Sequence, residues 1–214
     1  MVKTTPLVIT INHKFGSGGA YLGQKIADKL NILYVDHQII DLAAQKLNIS
    51  PDEVTAGDER PTSFWQSLTQ YCSYIDTNTY TAFESKPVTN HQIYDVEAEV
   101  MLEVYKGKSA VILGRCSSHI LRNHPRHVSI FLYADISYRQ KRIKKINNIS
   151  EQEALKLVKS TDKVRDSYIR EITGHELEDA CQYHLSLDTS ILGLDETEKV
   201  ILAYLHSRFG ELVV

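Results

Sequence analysis

The stretch LVITINHKFGSGGAYLGQKIADKL, residues 7–30, decides how the rest of the sequence is interpreted. It opens with a run of β-branched and apolar residues that is typical of a buried strand. A glycine cluster follows, and then Leu22, Ile26 and Leu30 recur at the four-residue spacing of one helix face. The stretch therefore predicts a strand, a glycine-rich loop and a helix in direct succession.

Strand and helix patterns alternate along the rest of the chain. Further strands are predicted at residues 32–35, 110–113, 128–133 and 183–187, with helical patterns between them. Ser150 and Glu153 form a capping-box pair before one of these helices, and Asp195 is predicted to cap the terminal helix. Such alternation favours right-handed crossovers and a mainly parallel sheet flanked by helices. The predicted fold class is α/β, in a single domain of residues 1–214.

Composition and charge exclude several classes of protein. With 43% hydrophobic and 24% charged residues, the 214-residue chain has an ordinary globular composition. Its formal net charge of −3 argues against broad attraction to nucleic acid. No apolar run approaches the roughly 20 residues that cross a bilayer, and no secretory signal pattern is present, so we expect a cytoplasmic protein without membrane contact. Cys72, Cys116 and Cys181 are odd in number and far apart, which argues against a disulfide framework and a structural zinc site.

The glycine cluster FGSGG is the sharpest candidate site in the sequence. A glycine-rich turn between a strand and a helix directs backbone N–H groups and the helix N-terminus toward one point, which suits a phosphate. We therefore predict a phosphate-binding loop at Gly16, Ser17, Gly18 and Gly19. The alternative is a tight structural turn without a ligand.

The loop departs from the standard Walker A sequence at two positions. If Gly18 is the second glycine of that motif, Gly19 stands where the lysine should be. Ala20 then stands where the magnesium-binding serine or threonine should be. Both missing groups normally act in phosphoryl transfer, and the sequence leaves open what replaces the lysine.

Several short stretches together carry a resemblance to one known family. They are ITINHKFGSGG at 9–19, LYVD at 33–36, Gly114-Arg115-Cys116, ILR at 120–122, LDTS at 187–190 and GLDE at 193–196. With these stretches the sequence resembles the cytidylate kinase-like family, a branch of the P-loop nucleoside monophosphate kinases. The similarity extends with gaps from about residue 7 to residue 209 and is weakest between residues 55 and 104.

The resemblance implies a three-layer P-loop kinase fold. In that fold, residues of about 50–105 would form a partly helical, monophosphate-binding insert, and residues of about 148–175 would form a lid. The implied activity is transfer of the γ-phosphoryl group of ATP, with Mg²⁺, to CMP or a related acceptor. No protein side chain is predicted to ligate a metal. The expected partner is a nucleotide or another small phosphate acceptor, and a homo-oligomer is compatible with the sequence.

Two side chains are candidates for binding the acceptor. Arg115 directly follows an apolar strand, at the carboxyl edge of a parallel sheet, where ligands of such folds collect. The resemblance assigns it the acceptor phosphate, which a guanidinium can bind bidentately, and the alternative is a surface ion pair. Asp36 matches an aspartate that faces the acceptor nucleotide in the family, and its alternative role is to cap the helix beginning at His37. Cys116 replaces an aspartate of bacterial cytidylate kinases proper.

The cation-rich segment from Arg139 to Arg170, which overlaps the predicted lid, has two interpretations. One is a solvated helical surface, the usual role of a charge run. The other is that lid closure brings the catalytic candidates Lys163, Arg165 or Arg170 onto the phosphates, where they would stabilise the transferred charge and replace the loop lysine. Lys14 is a second candidate replacement. The family more often has an acidic or amide residue at that position, and arginine at the position of His13.

Three hypotheses for the function remain. The leading one is a nucleoside monophosphate kinase-like phosphotransferase. The rival is a nucleotide-binding regulatory protein that has lost turnover, because Gly19, Ala20 and Cys116 each remove a group that ordinarily touches donor phosphate, magnesium or acceptor. The third is a kinase of a small molecule that is not a nucleotide.

Overall fold

The computed structural model describes residues 5–36 and 90–210 of the chain. The strands of this part are β1 (Val8–His13), β2 (Leu33–Val35), β3 (Ala110–Leu113), β4 (His127–Tyr133) and β5 (Leu185–Asp188). Its helices are α1 (Gly19–Leu30), α2 (Asn90–Val104), α3 (Ser117–Ile120), α4 (Ile136–Asn147), α5 (Glu151–Thr173) and α6 (Thr189–Phe209), with a 3₁₀ turn at Ala180–Gln182. Strands and helices alternate here as the sequence pattern predicts.

The five strands form one parallel sheet in the order β2-β3-β1-β4-β5. β1 is central, and its Val8 lies opposite both Ala110 of β3 and His127 of β4. Because all strands run in the same direction, their carboxyl ends share one edge of the sheet, where ligands of such folds bind. The predicted α/β class with a parallel sheet is confirmed.

Helices cover both faces of the sheet because successive strand residues point to opposite sides. On one face Ile9 packs in a buried cluster with Leu22 of α1 and Leu205 of α6. On the other face its neighbour Val8 packs with Met101 of α2. Full burial of one such side chain stabilises the fold by roughly 1.5–3 kcal/mol. The predicted three-layer arrangement is therefore confirmed.

Side-chain caps fix the beginnings of helices α4 and α5. The Ser150 hydroxyl accepts a hydrogen bond from the Glu153 N–H at 3.2 Å, and the Glu153 carboxylate accepts one from the Ser150 N–H at 2.8 Å. This reciprocal pair is the capping box predicted for α5. At the start of α4, the carboxylate of Asp135 accepts from the N–H of Ser137 at 2.7 Å.

The predicted cap at Asp195 is wrong. The helix begins earlier, directly after β5, where the carboxylate of Asp188 accepts from the N–H of Ser190 at 2.8 Å. Gly193, with φ of 73° and ψ of 163°, interrupts the helix after its first turn. Asp195 lies just beyond this interruption and forms an ion pair with Lys25 of α1 at 2.8 Å. The capping residue is therefore seven residues earlier than predicted, because a short helical turn precedes the main part of the helix.

Two predicted segments are only partly covered by the structure. Residues 50–89 of the predicted insert lie outside the described residues, and residues 90–104 form α2. Most of the predicted lid is α5, a 23-residue helix that packs along α4. The boundaries of the insert, the lid and the single domain stay predictions. Within the described residues, no helix has both the length and the apolar character needed to cross a membrane.

Candidate active site

The glycine loop joins β1 to α1 at the carboxyl edge of the sheet. Gly16 and Gly18 have φ of 86° and 95°, in the left-handed region that glycine adopts without strain. Gly18 is the N-cap residue of α1. The first backbone N–H groups of α1 lack partners within the helix, and the helix dipole adds partial positive charge at this point. The loop therefore has a geometry that suits an anion.

Ser17 faces the protein core rather than the space in front of the loop. Its side chain is fully buried, and its hydroxyl donates to the carbonyl oxygen of Lys14 at 2.8 Å. Its own carbonyl oxygen accepts a hydrogen bond from the hydroxyl of Thr189 at 2.8 Å. Ser17 thus fastens the loop to the start of α6, and its predicted phosphate contact stays a prediction.

A buried ion pair between α4 and α5 holds the loop from behind. Arg139 donates from one guanidinium nitrogen to the carboxylate of Asp162 at 2.5 Å and to the carbonyl oxygen of Phe15 at 3.1 Å. The other oxygen of Asp162 accepts from the N–H of Phe15 at 2.9 Å. Both backbone groups of Phe15 are therefore fixed by one pair of charged side chains.

Lys14 forms a separate ion-pair cluster with Asp166 and Glu178. Its ammonium group lies 3.2 Å from the carboxylate of Asp166 and also pairs with Glu178. Burial alone would lower the pKa of Lys14, but the hydrogen bond that Lys14 donates to Glu178 and the charge of Asp166 raise it above its ordinary value. Lys14 does not line the cavity in front of the loop.

That cavity has a volume of about 360 Å³, within the range of roughly 300–1,000 Å³ that is usual for small-molecule sites. The described residues that line it include the loop glycines Gly16, Gly18 and Gly19, and a set of charged side chains. These charged side chains are Arg115, Arg142, Arg165 and Asp36. Much of the remaining wall is apolar, with Phe15, Ile93, Leu113, Ile143 and Ile169. An excess of positive charge within apolar walls favours anionic ligands, because charges interact strongly where water is scarce.

Arg115 reaches the cavity from an unusual backbone turn after β3. Gly114, Arg115 and Cys116 have consecutive φ values of 64°, 55° and 51°. Left-handed backbone costs a residue with a side chain about 1–2 kcal/mol, so the turn stores strain at two positions. Such strain typically persists at functional sites, where the surrounding structure enforces it.

A buried carboxylate on α2 positions the Arg115 side chain. Glu97 is fully buried, and its Oε1 accepts from an Arg115 guanidinium nitrogen at 2.9 Å. Its Oε2 accepts from the Tyr168 hydroxyl of α5 at 3.2 Å. Burial, and then the nearby Glu97 charge, raise the pKa of the Cys116 thiol to about 12. Glu97 therefore links α2, α5 and the turn after β3 at the wall of the cavity.

Arg165 is the predicted lid cation that faces the cavity. Its guanidinium donates to the carbonyl oxygen of His13 at 2.8 Å and lies 5.7 Å from the centre of the Phe15 ring. Burial lowers the pKa of Arg165 to about 10, so the side chain is still positively charged at neutral pH. Its contacts place it beside the glycine loop.

Lys163 and Arg170 lie on other sides of the same helix. At about 100° per residue, they are roughly 200° and 140° around the axis of α5 from Arg165. Both are exposed and lie outside the cavity wall, and Arg170 is paired with Glu176 at 2.5 Å. Their predicted contact with phosphates stays a prediction.

Asp36 lines the cavity at the carboxyl end of β2. Its carboxylate accepts a hydrogen bond from the hydroxyl of Tyr34 at 3.2 Å. Burial, and then the charge and hydrogen bond of Asp36, raise the pKa of Tyr34. The alternative role of Asp36 as a helix cap concerns residues from His37 onward, which lie outside the described residues.

Sequence reasoning missed two charged groups: Arg142, which lines the cavity, and Glu97, which lies behind the cavity residue Arg115. Arg142 lines the cavity, makes no hydrogen bond or ion pair with the described residues, and has a pKa lowered by burial. The missed signal is that Arg142 shares a helix face with Ile146, four residues on, which also lines the cavity although it is 58% exposed. Glu97 likewise shares its face with the buried Ile93 and Val100 of α2. A charged residue on an apolar helix face is the pattern that identifies both.

His13 is a third residue at the cavity whose role the sequence does not predict. It is the last residue of β1, and its ring lines the cavity directly against Gly19. Burial, followed by the charges of Arg165 and Arg142, holds the pKa of His13 well below its ordinary value. The ring is therefore neutral at pH 7 in the protein without ligand.

The parallel sheet, the glycine loop after its first strand and the arginine-lined cavity at its carboxyl edge define a P-loop kinase-like protein. Residues 8–191 match the sequence model of the cytidylate kinase-like family, so the chain belongs to that family and the predicted resemblance is confirmed. No curated protein sequence matches the chain at a significant level.

Solved structures share the fold over almost the whole chain. An uncharacterized protein from Eubacterium ventriosum aligns with a TM-score of 0.70 at 21% identity, over 94% of this chain and 99% of that one. A shikimate kinase from Bacteroides thetaiotaomicron gives 0.53 at 11% identity, over 94% and 98%. A gluconokinase from Sinorhizobium meliloti gives 0.53 at 13% identity, over 97% and 95%. At these identities the likeness establishes the kinase-like fold alone.

Proposed function

We propose that the protein transfers the γ-phosphoryl group of ATP, with Mg²⁺, to CMP or a related nucleoside monophosphate. The observation that carries this proposal is a single cavity in which the glycine loop faces Arg115, Arg142 and Arg165. Among the described charged side chains of the cavity wall, these three cations face one carboxylate, Asp36. Two phosphate-bearing substrates brought together need this excess of positive charge.

The residues present fit a bound triphosphate through backbone groups and arginines. The first N–H groups of α1, which have no partners within the helix, would hold the donor phosphates. When bound, ATP supplies the phosphoryl group and Mg²⁺ offsets charge on its phosphate oxygens. Arg165, fixed beside the loop by its bond to the His13 carbonyl, would neutralise charge on the transferred group. The apolar walls would exclude water and strengthen these interactions.

Arg115 would hold the phosphate of the acceptor. Its guanidinium is positioned by Glu97 at 2.9 Å, at the sheet edge where the acceptor would lie opposite the loop. Asp36, at the end of β2, would contact the acceptor nucleotide, as the family resemblance implies. Holding both substrates in line would contribute most of the rate enhancement, since phosphoryl transfer depends chiefly on positioning and charge stabilisation.

A second candidate function is phosphorylation of a small molecule that is not a nucleotide. The fold is shared with a shikimate kinase and a gluconokinase, so it does not by itself select a nucleotide acceptor. The third candidate, a nucleotide-binding regulatory protein, is favoured by the absence of a lysine at Gly19 and of a hydroxyl at Ala20.

One screen separates these candidates. The protein is mixed with ATP and Mg²⁺ and with CMP, dCMP, UMP, AMP, GMP, shikimate or gluconate, and thermal stability and ADP release are followed together. ADP release that depends on one nucleotide supports the proposed function, and release with an acid acceptor supports the second candidate. Stabilisation by ATP without ADP release supports the regulatory candidate. Arg115→Ala should abolish acceptor-dependent release, whereas Arg208→Ala, on an exposed turn of α6, should leave it unchanged.

A further inference from the structure

His13 and Gly19 depart from the Walker A motif in opposite ways. In that motif the first glycine precedes the second by five residues, and the lysine follows the second directly. With Gly18 as the second glycine, His13 stands at the first-glycine position and Gly19 at the lysine position. A side chain is thus present where the motif has none, and missing where the motif has its cation.

The structure brings these two positions into contact. A Cβ atom added to Gly19 would lie 2.7 Å from both Nδ1 and Cδ2 of the His13 ring. The imidazole therefore fills the space in which any side chain at position 19 would begin. The ring lines the cavity beside the loop glycines, and neither of its nitrogens hydrogen-bonds to any of the described residues.

We propose that the His13 imidazole replaces the missing loop lysine as the side chain that binds the donor phosphates, taking up a proton from solvent as the triphosphate enters. This inference rests on the proposed use of ATP. The residue it assigns to the donor phosphates, His13, belongs neither to the Walker A motif nor to the predicted lid.

The charges around the ring explain the coupling to a proton. Arg165 faces it from α5 and Arg142 from α4, and both disfavour an imidazolium. Asp36 lies on the wall of the same cavity, and Lys14, the next residue in the chain, is turned toward the carboxylates of α5. A bound triphosphate offsets the two arginines with its own negative charges. The charged form of the ring then becomes the favoured one, and its N–H groups become charge-assisted donors to phosphate oxygens.

Calorimetric titration of ATP with Mg²⁺, in buffers of different ionisation enthalpy between pH 6 and 8, measures affinity and proton uptake together. Wild type should take up protons on binding. His13→Phe, which keeps the ring volume, should raise the Kd by about 10- to 100-fold and lose that uptake, as expected for a lost charge-assisted hydrogen bond. His13→Arg should bind ATP without the uptake. His206→Gln, at an exposed histidine of α6, should behave as wild type.

Variants that place a lysine at position 19, with and without the His13 ring, test the steric part of the inference. Gly19→Lys alone should bind ATP poorly, because the new side chain collides with the His13 ring. His13→Gly combined with Gly19→Lys restores the Walker spacing and should bind better than either single variant, without proton uptake. Circular dichroism and thermal melting show whether each variant is folded.

The two proposals fail in different ways. A wild-type Kd and unchanged proton uptake in His13→Phe would overturn the assignment of His13 and leave the proposed function standing. Absence of ATP binding by the folded wild-type protein would overturn the proposed function, and the assignment with it.

Discussion

Two turns at the same edge of the sheet solve the same geometric problem with different residues. The loop after β1 places Gly16 and Gly18 at its left-handed positions, where glycine is unstrained. The turn after β3 is also left-handed, but two of its three positions are Arg115 and Cys116. The first turn must present backbone N–H groups, so side chains would obstruct it. The second must present a guanidinium, and the protein tolerates strain to place it.

The supports of the two turns also differ. The glycine loop is held by side chains that contact its backbone, chiefly the pair Arg139 and Asp162. In the turn after β3, the support acts on a side chain instead: Glu97 forms an ion pair with the guanidinium of Arg115. Removing the Arg139–Asp162 pair should therefore destabilise the glycine loop. Removing Glu97 should mainly misplace the guanidinium of Arg115.

The largest effect is expected from breaking the support of the loop. Arg139→Gln leaves the carboxylate of Asp162 without its buried partner, and the loss of one member of a buried pair costs about 3–5 kcal/mol of unfolding free energy. Denaturant unfolding measures this loss. Arg142→Gln, one turn away and without an ion-pair partner among the described residues, should change the unfolding free energy by less than about 0.5 kcal/mol while weakening ATP binding. Equal destabilisation by both variants would contradict the distinction.

The next effect is expected from adding a side chain to the loop itself. In Gly18→Ala the alanine would have to adopt a φ of 95°. Its new Cβ would lie 2.5 Å from a methyl carbon of Leu194. Strain and overpacking together should cost about 3 kcal/mol, which lowers the melting temperature of a chain of this size by about 6–12 °C. Gly107→Ala is the matched control, since its φ of 71° gives comparable strain but its Cβ would meet nothing within 4 Å. A similar drop in both variants would show that backbone strain, and not Leu194, sets the cost.

Substitution of Glu97 is expected to reduce stability less than the two preceding variants do, and to affect mainly the function. Glu97→Gln keeps the size of the side chain but removes the charge that holds Arg115, and should cost about 2 kcal/mol of unfolding free energy. With the proposed function, the KM for the nucleoside monophosphate should rise more than the KM for ATP. Asp95→Asn, at an exposed position of the same helix, should change neither constant. An equal rise in both KM values would show that Glu97 supports the whole cavity and not Arg115 in particular.

Features set by local sequence could be predicted, whereas features set by contacts between distant residues could not. The parallel sheet follows from apolar runs alternating with helical periods, and the loop follows from its glycines, because each signal is local. The position of Arg115 at the sheet edge was also predicted, since it directly follows β3. Glu97 and Arg142 were missed, because their roles depend on which helix face meets the cavity. The contact of His13 with Gly19 was missed because it joins two backbone positions whose approach only the folded loop defines.

The smallest effect concerns the neighbour of Arg115 in the strained turn. Cys116 is fully buried, and its thiol has a pKa raised to about 12, chiefly by burial, whereas Cys181 is exposed. Because the thiolate is the reactive form, an alkylating reagent at pH 8 should modify Cys181 rapidly and Cys116 only after unfolding in guanidinium chloride. Peptide mapping by mass spectrometry measures both sites in one sample. Rapid modification of Cys116 in the folded protein would mean that the turn opens readily, and that Arg115 is not held there by a rigid, strained backbone.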